Sequence, residues 1–246
     1  MLELHSISKY YGSHGALREV SLSLPRGQLT GLFGENGAGK TTLMKCILGL
    51  TRHQGEITLD GAPISRRNIE KLSFATGEHS FFPGLSAAGH RDFYADHFPG
   101  FRGSRFTALM DFFGLPLHKA PRQLSAGQQN QLEVILALSQ GADYILLDEP
   151  FVTSDAFRRE DFYKVLLGIL EPGETVLLST HLLDEVGGFL GRALVLRDGK
   201  LVGDADTLAL AEEGRSLKDY VQACCGYQPD RVSRALDQLG GGEAQL

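Results

Sequence analysis

Residues 34–41, Gly-Glu-Asn-Gly-Ala-Gly-Lys-Thr, satisfy the pattern G-x-x-x-x-G-K-[ST], and the apolar run Gln28 to Phe33 leads straight into them. A strand that delivers this pattern to the start of a helix is the setting in which it binds phosphate. Glycines at Gly34, Gly37 and Gly39 let the loop wrap closely, so that backbone N–H groups from Asn36 through Ala38 to Thr42 can point at phosphate oxygens. Lys40 adds a point positive charge for the β- and γ-phosphates, and Thr41 offers a hydroxyl to Mg²⁺. The helix beginning at about Gly39 contributes its positive dipole end. The implied ligand is a nucleoside triphosphate with magnesium.

A second cluster carries the complementary chemistry. Tyr144-Ile145-Leu146-Leu147-Asp148-Glu149 is an apolar run ending in two acids, the pattern of a buried parallel strand that delivers carboxylates to its C-terminal edge, where open α/β sheets bind ligands. Asp148 would serve the magnesium, and Glu149 would sit one residue nearer the γ-phosphate.

The elements that must position these groups follow from pattern. Leu2 to Ile7, Leu17 to Leu24 and Gln28 to Phe33 alternate as strands, with turn chemistry at Gly12-Ser13 and Pro25-Arg26-Gly27, and are expected to form an antiparallel front piece. A helix from Gly39 to about Leu50, a strand from Glu56 to Leu59 with a hairpin signal at Asp60-Gly61, and a strand from Leu72 to Thr76 come next. From Phe81 to Gln140 no strand is evident, and Phe106, Leu109, Met110 and Phe113 recur at helical spacing. This block is expected to be a helical insertion, with Phe93, Tyr94, Phe98 and Phe101 in a core of its own. Strands at Tyr144 to Asp148, Thr175 to Ser179, Ala193 to Leu196 and Leu201 to Val202 then alternate with helices Asp155 to Leu170 and Leu182 to Phe189. That alternation implies βαβ units around a mostly parallel sheet.

Composition narrows the partners. The 246 residues are 42% hydrophobic and 22% charged, enough to bury the core of one α/β domain, and the net charge of −6 with scattered Lys and Arg encodes no long-range attraction to nucleic acid. Cys46 lies in the helix after the loop, and the adjacent Cys224 and Cys225 are poorly placed to pair with each other, which points to a reducing compartment. No stretch approaches the ~20 apolar residues of a membrane span, so a cytoplasmic chain is expected, with any membrane work done through another subunit.

Between insertion and acidic strand, Leu124-Ser125-Ala126-Gly127-Gln128-Gln129 resembles the LSGGQ signature that distinguishes ATP-binding cassette (ABC) ATPases from other P-loop proteins. Ser125 is a good N-cap for a helix running to about Ser139, which makes hydroxyl and free N–H groups a second anion site. Pro150 and Asp155 look like the segment after the family's acidic strand, Ser179-Thr180-His181 resembles its switch histidine, and Tyr11 sits where the family places an aromatic that stacks on adenine. The resemblance spans about residues 1–205. It implies an α/β P-loop NTPase with a mostly parallel core sheet, an antiparallel β subdomain and an inserted helical subdomain at about 81–140, within an ATPase domain of residues 1–225 followed by a tail at 226–246.

The resemblance also implies ATP and Mg²⁺ as ligands, two cassettes packed head to tail as homodimer or heterodimer, and a transmembrane permease as partner at the cell membrane. Lys40, Glu149 and His181 would carry hydrolysis, with Glu149 activating water and His181 contacting the γ-phosphate. Thr41 and Asp148 would hold the metal, Ser125 and Gly127 would complete the site of the partner cassette, and Asp155 would bind nucleotide with them. The segment Phe93 to Pro99 looks most like ATPase subunits of bacterial exporters of drugs, peptides or polysaccharides. Ala126 replaces the first signature glycine. The glutamine that links core to insertion in the family is absent, Gly77 standing in its place with Glu78 beside it as a candidate metal ligand. A soluble ABC ATPase acting on nucleic acid or the ribosome is the rival reading, and the lack of a sustained heptad, a zinc-spaced Cys pair or a basic balance weighs against it. Intact Glu149 weighs against a regulator without turnover.

Overall fold

The computed structural model describes residues 1–79, 81, 82, 84–150 and 156–227. It opens on an antiparallel ribbon in which β1 (Leu2–Tyr11) turns at Gly12 into β2 (His14–Leu24). Leu2 pairs with Leu24, Leu4 with Leu22 and Ile7 with Val20, and a one-residue slip would turn this apolar set to solvent. β3 (Leu29–Phe33) leads into α1 (Lys40–Ile47). β4 (Gln54–Leu59) and β5 (Ala62–Pro63) form a hairpin whose turn residues Asp60 and Gly61 have φ of 53° and 77°, the left-handed pair that a two-residue hairpin turn needs. β6 (Leu72–Ala75) follows.

The insertion consists of α2 (Ala87–His97), α3 (Gly103–Phe113) and α4 (Ala126–Ser139). The chain then alternates through β7 (Tyr144–Asp148), α5 (Ala156–Ile169), β8 (Thr175–Ser179), α6 (Leu183–Val186), β9 (Arg192–Arg197) and β10 (Lys200–Asp206). It continues into two short helices that the sequence reading did not include, α7 (Thr207–Glu212) and α8 (Leu217–Cys224).

Two sheets result. One is antiparallel in the order β2-β1-β4-β5, and the other runs β10-β9-β3-β8-β7-β6, parallel throughout except for β10 against β9. The expected front piece is therefore corrected: β3 leaves it for the centre of the core sheet, and β4 and β5 complete it instead. The reason is burial, since every residue of β3 is buried and such continuous apolar strands belong in two-sided parallel sheets.

Side chains of the core sheet alternate between two hydrophobic layers, as the strand period of two requires. Tyr144, Leu146, Leu177, Leu194 and Leu196 face α1 and the antiparallel sheet, with Leu43, Met44 and Ile47 of α1 between the sheets. Ile145, Leu147, Val176, Leu178, Ala193 and Val195 face the other way, onto a layer containing Phe106, Leu109 and Met110 of α3 and Leu132 and Ile135 of α4. The insertion thus shares the core of the sheet, which corrects the expectation of a separate one. Tyr94 and Phe101 pack at its margin.

A buried ion cluster fastens the insertion. Arg105 of α3, 8% exposed, donates to Glu174 Oε1 at 2.8 Å and Oε2 at 3.0 Å, and also to the carbonyls of Leu138 and Ile169. Arg102 donates to the same carboxylate at 2.5 Å and to Glu171 at 2.9 Å. Glu174, 3% exposed, is thereby matched by forked donors, the arrangement in which a buried carboxylate is tolerated.

Candidate nucleotide site

Strand order builds the site. β8 lies between β3 and β7, so the loop after Phe33, the acids after Leu147 and the Thr180-His181 pair all leave adjacent C-terminal strand ends, the usual ligand edge of such a sheet.

The loop glycines answer two different demands. A Cβ at Gly34 (φ 148°) would lie 2.3 Å from the Leu196 carbonyl oxygen, and one at Gly39 (φ 107°) would lie 2.6 Å from that of Ala16. These two positions exclude side chains because β9 and β2 press on the loop. Gly37 (φ 85°) has nothing within 4 Å, so only there does the open side face free space for an incoming phosphate. α1 starts at Gly39 without a side-chain cap or an acid in its first turn, which leaves its leading N–H groups available to an anion.

Lys40 is 7% exposed, and its ammonium is held by the carbonyl oxygens of Gly34 at 2.8 Å and Glu35 at 3.3 Å. Glu149 Oε1 approaches to 3.9 Å. A buried cation held chiefly by neutral acceptors suits an anionic ligand. A cleft of about 310 Å³ opens over it, lined also by Asn36, Thr42, Tyr11 and His14. Tyr11 is half exposed, with Lys9 Nζ 4.6 Å from its ring centroid.

Thr41 Oγ1 donates to Asp148 Oδ2 at 2.6 Å. A hydroxyl and a carboxylate in contact are the hard oxygen donors Mg²⁺ takes, and Mg²⁺ sites commonly use one or two such side chains together with substrate phosphates. Among the described residues no group of three His, Cys, Asp or Glu gathers as a full metal cage. The residues fit the ion. The Glu78 carboxylate accepts from Lys45 Nζ at 2.7 and 2.8 Å, an exposed ion pair with α1 one turn beyond Thr41.

Glu149 has φ of 49°, a left-handed conformation uncommon for a non-glycine residue. Its side chain accepts from His181 Nδ1 at 2.8 Å, His181 being half exposed. Ser179, which the sequence reading passed over as context for His181, joins the two acids; its hydroxyl donates to Asp148 Oδ1 at 2.5 Å and accepts from the Glu149 N–H at 3.1 Å. Strand pairing alone would have found it, because Asp148 and Ser179 are register partners.

Ser125 caps α4 by accepting from the Gln128 N–H at 3.2 Å, and Gln128 Oε1 accepts from the Ser125 N–H at 3.0 Å. This reciprocal box spends the hydroxyl's acceptor locally while leaving Ser125 exposed. Ser125 and Gly127 do not line the cleft over Lys40. Asp155 lies outside the described residues.

Comparison with known proteins identifies the family. Residues 17–152, more than half the chain, match the family model described as ABC transporter. The Fe(3+) ions import ATP-binding protein FbpC of Pseudomonas fluorescens is 33% identical over 88% of this chain and 64% of its own length. The SkfA peptide export ATP-binding protein SkfE of Bacillus subtilis is 28% identical over 90% of this chain and 96% of its own. The chain spans about half to two thirds of the length of several curated relatives it matches. Among solved structures, the ATP-binding cassette MJ0796, dimeric in a post-hydrolysis state with ADP and phosphate, superposes with a TM-score of 0.73 at 23% identity, over 84% of this chain and 99% of that one. Importer and exporter subunits both match, so the comparisons do not single out exporters.

Proposed function

The chain belongs to the ABC transporter family, and from that premise we propose that it binds and hydrolyses ATP to power a separate membrane permease. The observation that carries the reading is convergence: Lys40, Thr41 and Glu149 line one cleft, with Thr41 bonded to Asp148 and Glu149 to His181 behind them at adjacent strand ends. In this reading Lys40 and the backbone of residues 36–42 hold the triphosphate, and Tyr11 stacks on the base. Thr41 and Asp148 would hold Mg²⁺, which would supply positive charge to offset that of the triphosphate. Glu149 orients the attacking water and takes its proton, while His181 holds the Glu149 side chain and reaches toward the γ-phosphate. Ser125 and Gly127, outside this cleft, complete the site of a second cassette.

No helix of the described residues is long and apolar enough to cross a membrane, which supports a peripheral role through a permease. The half-exposed Phe82, tilted against Phe93 with ring centroids 4.6 Å apart, is the proposed anchor for that partner. Export is the direction proposed, on the likeness of the segment Phe93 to Pro99 to exporter subunits. Replacing the ammonium tests the binding site: Lys40→Ala is expected to weaken ATP binding at least tenfold in equilibrium titration, and unchanged affinity would remove the cleft as the nucleotide site. Purification from detergent-solubilised membranes should bring down a polytopic subunit with the wild type and lose it with Phe82→Asp.

A further inference from the structure

Ser179 is fully buried at the end of β8, and its single hydroxyl touches both acids of β7. The proton goes to Asp148 Oδ1 at 2.5 Å, and a lone pair accepts the Glu149 N–H at 3.1 Å. The Ser179 carbonyl oxygen accepts the same N–H at 3.1 Å. Asp148's other oxygen takes the Thr41 proton at 2.6 Å. A serine has one proton to give, so any other hydroxyl orientation would leave Asp148 Oδ1 without this donor.

We infer that Ser179 is a positioning residue for both carboxylates: it fixes the plane of Asp148 against Thr41 and holds the Glu149 backbone in its left-handed turn. With both hydroxyls donating into Asp148, the lone pairs of Thr41 are left for the cation. A left-handed non-glycine residue persists only where its surroundings over-determine it, and Ser179 gives the Glu149 N–H two acceptors. Two residues further on, His181 grips the Glu149 side chain at 2.8 Å. The end of β8 therefore holds Glu149 at backbone and side chain together.

This inference rests on the ATPase reading, and the test separates the two. In the full chain, Mn²⁺ binding with a non-hydrolysable ATP analogue is measured by electron paramagnetic resonance, beside kcat and KM for ATP. Ser179→Ala is expected to weaken Mn²⁺ binding about fivefold and to lower kcat about tenfold, the scale of one intramolecular hydrogen bond, with KM within about twofold. Ser179→Thr, which keeps the hydroxyl, is expected to recover both. Should the alanine variant fail to fold, Ser179→Cys, close in size but a weak donor, replaces it on the same readouts. Wild-type values in the hydroxyl-free variant would overturn the inference, as would equal losses in the threonine variant, which would trace the effect to packing. A wild-type chain that neither binds the Mn²⁺–nucleotide nor hydrolyses ATP would instead overturn the reading beneath it.

Discussion

At the scale of single residues, the phosphate loop shows how one glycine-rich pattern meets two constraints. Gly39→Ala places a Cβ 2.6 Å from a backbone oxygen at φ 107°, so it should cost about 2 kcal/mol of stability or more in urea unfolding. Gly37→Ala meets nothing and should cost about 1 kcal/mol, yet lose ATP affinity because its methyl enters the ligand's space. Equal stability losses in the two variants would contradict the division. The sequence makes the glycine positions legible as a loop, but the approach of Ala16 and Leu196 depends on tertiary packing and leaves no local signal. His90 was likewise silent. Buried at 1% exposure, it donates from Nδ1 to the Ser86 carbonyl at 2.9 Å and accepts the Phe82 N–H at Nε2 at 3.0 Å. Burial lowers its pKa, and that of His79, from 6.5. The folded state thus favours neutral rings, so their contribution is complete above that value and is lost as pH falls below it toward the folded pKa. Melting temperature should fall between roughly pH 7 and roughly pH 5, less steeply in His90→Gln; an unchanged slope in that variant would contradict the assignment.

At the scale of elements, legibility follows the strength of the pattern. β7 and β8 lie where their apolar runs place them, and the α3 face of Phe106, Leu109 and Met110 is buried as its spacing requires. α7 and α8 escaped notice because they are short and bury little, with Leu210 and Val221 their only buried residues. The assignment of β3 needed information about its neighbours. Alternation shows that a strand exists, whereas its sheet is decided by what covers both faces. Arg105 begins the α3 apolar row and has the look of a solvated charge at its edge, yet it is buried against Glu174. Breaking that pair strands a buried cation, so Glu174→Gln should destabilise the chain by about 3 kcal/mol, read as a lower urea midpoint. A loss below about 1 kcal/mol would mean that Arg102 and Glu171 hold the insertion without it.

At the scale of the whole molecule, the helix starts at Gly39 and at Ser125 do not share a cleft within one chain. The proposed head-to-tail pair joins one of each. In a mixed pair with Ser125→Arg in one protomer and Lys40→Ala in the other, both lesions fall on the same composite site, so the counterpart site stays intact and about half of the activity should survive, given independent sites. Doubling both lesions in every protomer should abolish activity, and equal activity in the two pairings would contradict completion in trans. The strand order β3-β8-β7 brings the loop, the acids and His181 to one edge, and the account of hydrolysis stands or falls on the carboxylate they surround. The most direct measurement is ATP binding and hydrolysis by Glu149→Gln, with light scattering on the same sample. The account predicts that nucleotide is bound and retained in a dimer while turnover falls about 10²-fold or more, the scale of losing a positioned base. A monomer hydrolysing ATP near the wild-type rate would contradict it.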